Sequence, residues 1–471
     1  MTEKKKKEDV NSNQQPVSTM VSYGFGKFNF ELVTGAFAAL VFKYYEDNLG
    51  LSAGLAAIGI ILYSIWNAIN DPLIGHLTIK PTKLSAKYGR RFPWIFLGSI
   101  FWGFSFVLIF AVPNGIANNE FYTLLWMILT TCLYDTFGSL WEVNYQSVFP
   151  DKFRDKDERD KAAGIATAIG VFGIALGEII PTLVIRGYEP KYSIDFVTNA
   201  LIFMSLSILM SFIIIPGVRE NDDMKKRYIK FIAEEEKEEQ PSFWQQLVEA
   251  LSERNFLAFI LLYFLYQACT MSMTASVHYV GDHILGAIPQ DTTIIFAGML
   301  LGALGSVPLW TAISKKLGDH QKAIKIAAIW MIFATFPMTF LTTETQFLIA
   351  LTIWGVGFGG FWMLITPVMA DIIDEIVVKK GKRKDGIYLG FRAFFGRLSY
   401  AVQALTFWIV HDLTDYDPNN ITELAKLGIH IHMALIPTIF LIVGLAIFHI
   451  LNTLNKEKME VIHKKLAELD L

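Results

Sequence analysis

The chain has 471 residues, of which 53% are hydrophobic and only 18% are charged, and its formal net charge is −3. Average soluble domains carry nearer a quarter charged residues, so this composition excludes an ordinary soluble domain. Continuous apolar stretches such as 92–112 and 431–451 can cross a bilayer core as helices, which takes about 20 residues. Because these stretches do not alternate apolar and polar residues, they also exclude a membrane β-barrel.

The hydropathy pattern predicts twelve membrane-spanning helices. In chain order they cover 23–46, 53–79, 93–112, 121–149, 161–185, 194–216, 256–280, 291–314, 323–342, 345–375, 386–411 and 429–452. Alternating glycines in 355–360 predict close helix packing or bending at the tenth span. Cys132 and Cys269 both lie in apolar segments, which is typical of small core residues and not of a disulfide framework.

The positions of Lys and Arg predict the orientation of these spans. Loops after the second, fourth, eighth and tenth spans are basic, whereas 113–120, 281–290 and 412–428 together hold one basic residue, Lys426. Cytoplasmic loops carry the excess of Lys and Arg. We therefore predict a multi-pass integral protein of the cell membrane, with both termini cytoplasmic.

A long charged segment divides the spans into six plus six. It predicts a cytoplasmic linker over 219–255 between two six-helix bundles, 22–218 and 256–452, with tails at 1–21 and 453–471. The N-terminal tail is polar and lacks the apolar core of a signal peptide, so we expect it to be disordered and cytoplasmic. Two similar six-helix halves predict the major facilitator fold, an all-α architecture that places its substrate between the halves.

Ionisable residues inside membrane spans are costly, from about 3 kcal/mol upward at the centre, and therefore indicate a cavity or a partner. The first half places acidic residues at such positions, and the eleventh span carries two arginines; in chain order these residues are Glu31, Asp71, Asp135, Glu142, Glu178, Arg392 and Arg397. Acids facing bases are typical of a cation-coupled site. Three further acidic residues lie at the inner end of the tenth span and face the basic loops: Asp371, Asp374 and Glu375. Together with Arg90 and Arg91 of one such loop, they predict a gate.

Several motifs resemble the glycoside–pentoside–hexuronide:cation symporter family (melibiose permease-like) of the major facilitator superfamily. They are Ser22-Tyr23-Gly24-Phe25-Gly26, Ile65-Trp66-Asn67-Ala68-Ile69-Asn70-Asp71-Pro72-Leu73-Ile74-Gly75, Gly89-Arg90-Arg91-Phe92-Pro93-Trp94, Phe361-Trp362 and Ala370-Asp371-Ile372-Ile373-Asp374. The resemblance covers nearly the whole chain. It implies a cation-coupled symporter that works by alternating access.

The resemblance also implies roles for single residues. Asp71 falls on a carboxylate of the cation site and Ser139 on a contributing hydroxyl, and Asn67 and Glu142 complete the set expected to bind the cation. Glu31 and Glu142 fall on acids that contact sugar hydroxyls. Gln146 falls on a stacking residue, Trp362 on a tryptophan of the cavity and Arg397 on a lysine. Together with the neighbouring Arg392, these residues complete the set expected to bind the substrate.

Four departures from the family pattern bear on the substrate and the ion. Asn67 replaces a second carboxylate of the cation site, which weakens a Na⁺ site and favours proton coupling through Asp71. Gln146 stands in place of a stacking tryptophan, and Thr167 in place of an arginine. Glutamates at 31 and 142 replace shorter aspartates. Together the four departures put an α-galactoside substrate in doubt.

Three functions follow as alternatives. The first is a symporter of a sugar or sugar acid, whose carboxylate Arg392 and Arg397 would bind. The second is a transporter of lysophospholipids or other amphiphiles, and the third is a membrane sensor or scaffold without transport. The sequence shows no nucleophile–base pair, metal-ligand spacing or phosphate loop, so we expect no enzyme activity. We expect no cofactor beyond the coupling ion, H⁺ or Na⁺ (the latter at Asp71), no nucleic-acid partner, and function as a monomer.

Overall fold

A computed structural model of the chain describes residues 15–79, 88–153, 156–221, 224–225, 243–381 and 385–469. The described residues fold into helices, of which twelve are long. These are α1 Val17–Lys43, α2 Ala53–Ile79, α3 Phe92–Phe110, α4 Glu120–Lys152, α5 Lys156–Val184, α6 Ser193–Ile213, α7 Arg254–Tyr279, α8 Pro289–Gly305, α9 His320–Thr335, α10 Glu344–Lys380, α11 Asp385–Leu413 and α12 Ile436–Leu451.

Eleven helical segments among the described residues are long and apolar enough to cross a membrane. The remaining long helix, α4, has 33 residues and includes Asp135 and Glu142 along its length. The helices occupy the stretches that hydropathy predicts, and α2 coincides with the predicted span 53–79. An all-α membrane fold is therefore confirmed, and the number of twelve spans is consistent with it.

Helix α1 begins at Val17, so residues 17–21 are helical and not part of a disordered tail. Pro16 precedes the helix in an extended conformation, and Met20 is buried. The Ser22 hydroxyl donates a 2.7 Å hydrogen bond to the carbonyl oxygen of Ile213. Tertiary contacts thus extend the helix beyond the apolar stretch visible in the sequence. The rest of the predicted tail, 1–14, lies outside the described residues.

Several spans change helical type before they end. Five-residue π-turns follow α1 and α7 and precede α12, at Tyr44–Asn48, Val280–Ile284 and Ile431–Leu435. A 3₁₀ turn, Phe336–Phe340, ends the span of α9. Extra residues in π-turns are frequent at functional sites and re-aim the side chains that follow them.

The described residues pack as two compact units. One contains the described residues within 1–51 and 62–239, and the other contains those within 52–61 and 240–471. The beginning of α2 therefore groups with the second unit, which the predicted boundary between 22–218 and 256–452 does not anticipate. A Cβ added at Gly54 would lie 2.9 Å from Nε1 of Trp408, which shows how closely this end of α2 contacts α11.

Glycines bring helices together within each unit. In the first unit, an added Cβ at Gly177 would lie 2.7 Å from the carbonyl oxygen of Leu32. In the second, added Cβ atoms at Gly302 and Gly355 would collide with backbone carbonyl oxygens of α10 and α8, respectively. Small residues allow such close backbone approach in membranes. The packing role predicted for 355–360 is confirmed.

Two short helices lie in the predicted linker and C-terminal tail. Phe243–Ser252 precedes α7, and Lys456–Leu469 ends the described chain. The terminal helix buries Met459, Ile462 and Leu466 and contacts α10. An apolar residue every three or four positions is what docks a helix along one face. Residues 226–242 of the linker lie outside the described chain.

Candidate functional site

The residues predicted to bind a cation on α2 share one face, because Asn67, Asn70 and Asp71 are three and four residues apart. Asn67 and Asn70 are buried and Asp71 is half-buried, whereas Ile69 and Leu73 on the opposite side are exposed. Helix α2 thus presents a polar face to its own unit and an apolar face outward.

Helix α4 supplies a matching polar face. Asp135, Ser139 and Glu142 are four and seven residues apart and all are buried. The side-chain amide of Asn70 donates a 3.0 Å hydrogen bond to Oδ2 of Asp135. This hydrogen bond joins the polar faces of α2 and α4, whose residues we call the α2/α4 polar cluster: Asn67, Asn70, Asp71, Asp135, Ser139 and Glu142.

The Ser139 hydroxyl is the member of this cluster best suited to an additional ligand. Its oxygen is buried and forms no hydrogen bond with any residue in the described part of the chain. A buried polar atom normally has a partner, since leaving one unsatisfied costs about 1–3 kcal/mol. The Ser139 oxygen could therefore serve as a ligand for a hard cation or as a hydrogen-bond partner for a bound solute.

Glu142 and Gln146 interact directly. The Gln146 amide donates a 2.7 Å hydrogen bond to Oε1 of Glu142, one helical turn away on α4. Gln146 is exposed and Glu142 is buried. The Gln146 side chain thus orients the Glu142 carboxylate from the next turn of α4.

Glu31 on α1 pairs with Lys27, a residue that the sequence analysis did not select. Their side chains lie 2.5 Å apart and keep 13% and 38% exposure, respectively. Lys27 also lies 5.4 Å from the centroid of the Phe30 ring. The four-residue spacing of opposite charges on a helix was the available signal. The Glu31 carboxylate is therefore part of an ion pair and not an isolated charge.

In the second unit, Trp362 belongs to an aromatic group. Its ring lies parallel to that of Phe358 at 6.2 Å, and Tyr266 stacks on Phe361 at 3.8 Å. The Arg392 guanidinium lies 6.0 Å from the centroid of the Tyr263 ring.

Arg392 and Arg397 are both half-buried on α11. Five residues turn an α-helix by about 140°, so the two side chains leave α11 in different directions. The expectation that both arginines face one carboxylate therefore does not follow from helix geometry.

The predicted gate residues have partners within their own units. Asp371 accepts hydrogen bonds from the Gln321 amide at 3.2 Å and contacts Nδ1 of His320 at 3.0 Å. Asp374 lies 4.0 Å from Nε2 of His463. These contacts tie the inner end of α10 to α9 and to the terminal helix.

Arg91 forms a 2.7 Å ion pair with Asp151, and its backbone N–H donates to Glu220 at 2.8 Å. Burial raises the pKa of Glu220 above its ordinary value, although the N–H groups of Arg91 and Phe92 oppose the shift. Gly89 has φ +102°, and an added Cβ would collide with Glu220. Arg90 is half-buried beside it. The start of α3 thus depends on a carboxylate that follows α6.

The amino-acid sequence matches the family described as MFS/sugar transport protein over residues 22–454. The chain belongs to this family. It is therefore a transporter of the major facilitator superfamily, which confirms the superfamily part of the resemblance; the matches do not single out its melibiose permease-like branch.

Two relatives of this chain have low sequence identity to it. The sodium-dependent lysophosphatidylcholine symporter 1 of Xenopus tropicalis is 22% identical over 87% of this chain and 82% of its own length. The lactose permease of Lactobacillus helveticus is also 22% identical, over 93% of this chain and 68% of its own.

A solved structure supports the same fold. The crystal structure of a bacterial homolog of the human lysosomal transporter Spinster superimposes with a TM-score of 0.68 at 12% identity, covering 96% of this chain and 98% of that one. At this identity the likeness shows the fold alone, and it agrees with the all-α architecture of the two units.

Proposed function

We propose that this transporter is a cation-coupled symporter that works by alternating access, with the coupling ion bound at Asp71. The observation that carries the proposal is the α2/α4 polar cluster, which places carboxylates, amides and a hydroxyl inside two helices of a membrane protein. Such residues are costly at membrane depth and are typical of ion and substrate pathways.

The chemistry of the cluster fits a small monovalent cation or a proton. Asp71 supplies one negative charge, Asn67 supplies a neutral amide oxygen, and Ser139 supplies the buried hydroxyl described above. Na⁺ prefers such oxygen ligands, and H⁺ would neutralise the same carboxylate. In either case the occupied site loses the charge of Asp71, which allows the loaded protein to change conformation at lower electrostatic cost.

For the substrate we propose a sugar or sugar acid. Glu31, held by Lys27, and Glu142, held by Gln146, offer carboxylate oxygens to hydroxyl groups. Trp362 offers an aromatic face, and Arg392 offers a cation to a sugar acid. The relationship to a lactose permease supports this substrate class.

A lysophospholipid is the second candidate substrate. The relationship to a sodium-dependent lysophosphatidylcholine symporter, over 87% of this chain, favours it. In that case Arg392 or Arg397 would contact the phosphate, and the carboxylates would face a zwitterionic headgroup. The proposed cation site at Asp71 is the same for both candidates.

Uptake into proteoliposomes tests the proposal. Labelled glycosides, uronides and lysophosphatidylcholine are offered under an imposed Na⁺ gradient at fixed pH, or an imposed pH gradient without Na⁺. Accumulation of one solute under one gradient supports the symporter and names both substrate and ion. Equilibration without accumulation under either gradient refutes cation coupling, and no entry of any solute favours a sensor or scaffold.

For the arrangement in the cell we propose a monomer in the cell membrane with cytoplasmic termini. The support for the orientation is the distribution of Lys and Arg described above. Protease added outside right-side-out membrane vesicles should spare an epitope tag at either terminus, and should remove it after the vesicles are opened. Removal of the tag in sealed vesicles would contradict this orientation.

A further inference from the structure

Helices α1 and α5 are packed against each other more closely than ordinary side chains allow. An added Cβ at Gly177 would lie 2.7 Å from the carbonyl oxygen of Leu32, and one at Gly173 would collide with the carbonyl group of Phe28. The next residue after this contact is Glu178. The close approach of the two backbones therefore encloses an acidic side chain.

Glu178 is 3% exposed, and its Oε2 atom forms no hydrogen bond within the described part of the chain. Its other carboxyl oxygen would lie 3.9 Å from a Cβ added at Gly35 of α1. Gly35 is four residues after Glu31, which corresponds to about 6 Å along the helix. The carboxyl group thus lies about one turn of α1 from the proposed substrate residue Glu31.

The charged residues on the packed helices already have partners. On α1 and the π-turn that follows it these are the pairs Lys27–Glu31 and Lys43–Asp47. On α6, which also packs against α5, Asp195 pairs with Arg186 at 2.8 Å. Between residues 162 and 184 of α5 itself, Glu178 is the one ionisable residue in the sequence. A carboxylate at Glu178 would therefore have no counter-ion of its own in these described surroundings.

We propose that Glu178 is a proton-binding site of the transport cycle, separate from the cation site at Asp71. An isolated carboxylate is costly at membrane depth, so the closed α1/α5 contact holds the neutral acid. The step is a simple protonation, in which the carboxylate takes H⁺ from water and returns it when the site regains access to water. No other reactant is required.

The site is coupled to substrate through α1. A solute that engages Glu31 competes with Lys27 for that carboxylate and so changes the charge distribution about one turn from Glu178. Release of the proton would follow when this rearrangement brings water or a positive charge to the Glu178 carboxyl group while α1 and α5 remain packed. This part of the inference rests on the proposed transport function, whereas the protonation of Glu178 itself does not.

The protonation is tested without any solute. Infrared difference spectra of the purified full-length protein in lipid, collected between pH 5 and 10, should show a carboxylic-acid C=O band at neutral pH that disappears at alkaline pH. The band should be absent from Glu178→Gln and retained in Asp71→Asn. A wild-type spectrum whose acid band is unchanged in Glu178→Gln would overturn the proposal, provided that both proteins unfold at similar temperatures.

The coupling is tested by solute exchange measured across the same pH range. Wild-type exchange should fall several-fold between neutral and alkaline pH, exchange in Glu178→Gln should be independent of pH, and Glu178→Asp should restore the dependence with a shifted midpoint. A merely structural role would lower all rates equally and leave the pH profile unchanged. If the infrared band is present but no solute is transported, the proposed function fails while the proton site stands. If solute is transported but the band is absent, the proton site fails while the proposed function stands.

Discussion

Asn70 and Asp135 hold α2 and α4 together through a 3.0 Å hydrogen bond between side chains that are 1% and 5% exposed. Replacing Asn70 by Leu removes the donor and leaves the Asp135 carboxylate with one partner fewer. We expect a loss of about 1–3 kcal/mol in the free energy of unfolding. Thermal unfolding in detergent, followed by intrinsic fluorescence, measures it.

The same pair provides its own control. Replacing both polar groups by apolar ones leaves no unsatisfied partner. The double variant Asn70→Leu/Asp135→Leu should therefore lose less free energy of unfolding than the two single variants lose together. Strict additivity would show that the hydrogen bond makes no contribution.

Asp71→Asn tests the ion site directly. The amide keeps the shape of the carboxylate but carries no charge, so a bound cation has no negative charge to neutralise at this position. Accumulation against a gradient should be lost, while exchange of solute across the membrane remains. Gradient-driven uptake is compared with exchange in the same proteoliposomes.

Asp135→Asn is the matched control for Asp71→Asn, since it removes a charge from the same cluster at a residue that the proposal does not assign to the ion. It should retain accumulation. Full accumulation in Asp71→Asn would remove Asp71 from the mechanism.

Glu31→Gln should weaken solute binding while the protein remains folded. A hydrogen bond to a charged group contributes about 1.5–3 kcal/mol, so KM should rise about tenfold or more. Lys27, which pairs with Glu31 at 2.5 Å, would then lack its acidic partner on α1.

Glu120→Gln is the control for this substitution, because Glu120 is an exposed acid at the start of α4. Its KM should match that of the wild type. An unchanged KM in Glu31→Gln would exclude Glu31 from the substrate site.

Two glycines of α5 offer a matched comparison of packing. A Cβ at Gly173 would collide with the Phe28 carbonyl group, whereas a Cβ at Gly164 would meet nothing within 4 Å. Gly173→Ala should therefore lower the unfolding temperature. Gly164→Ala should leave it unchanged or raise it, because Ala is favoured over Gly in a helix by up to about 1 kcal/mol. Equal effects of the two substitutions would contradict the close α1/α5 contact.

The stability of the α3 start should depend on pH through Glu220, whose pKa is raised by burial. The folded protein holds this proton more tightly than the unfolded chain, whose glutamate pKa is about 4.3. The stabilisation that Glu220 contributes to the folded protein is therefore complete below the pKa of the unfolded chain. It is lost as pH rises through the pKa of the folded protein.

Relative to the wild type, Glu220→Gln should gain stability as pH rises from about 4.3 towards neutral, given the unfolded glutamate pKa. Unfolding temperatures of the two proteins across this range provide the comparison. Parallel curves would show that Glu220 titrates normally.

The sequence predicts most of the helices because each span is a long apolar stretch, and α2 is found where hydropathy places it, at Ala53–Ile79. It does not predict the helical start at Val17, which depends on Ser22 bonding to a residue almost two hundred positions away. It also misses the π-turns, because an extra residue in a helical turn leaves no change in hydropathy.

The partners within the site are harder to predict than the residues themselves. The sequence offers Asp135 and Glu178 as buried acids, but their neighbours Asn70 and Gly35 belong to other helices. Lys27 could be predicted as a partner from the sequence, since it lies one helical turn from Glu31. The assignment of Asn67, Asp71, Ser139 and Glu142 to an ion, and of the remaining polar residues to a solute, stays a prediction.

The glycine contacts between α1 and α5 have a practical consequence for measuring motion. Because backbone meets backbone at Gly173 and Gly177, the two helices cannot slide past each other without a clash. Spin labels placed on the pair should keep a constant separation through the transport cycle. A single reporter on either helix would then follow both, and changes in its distance to any third helix could be assigned to the pair as one body.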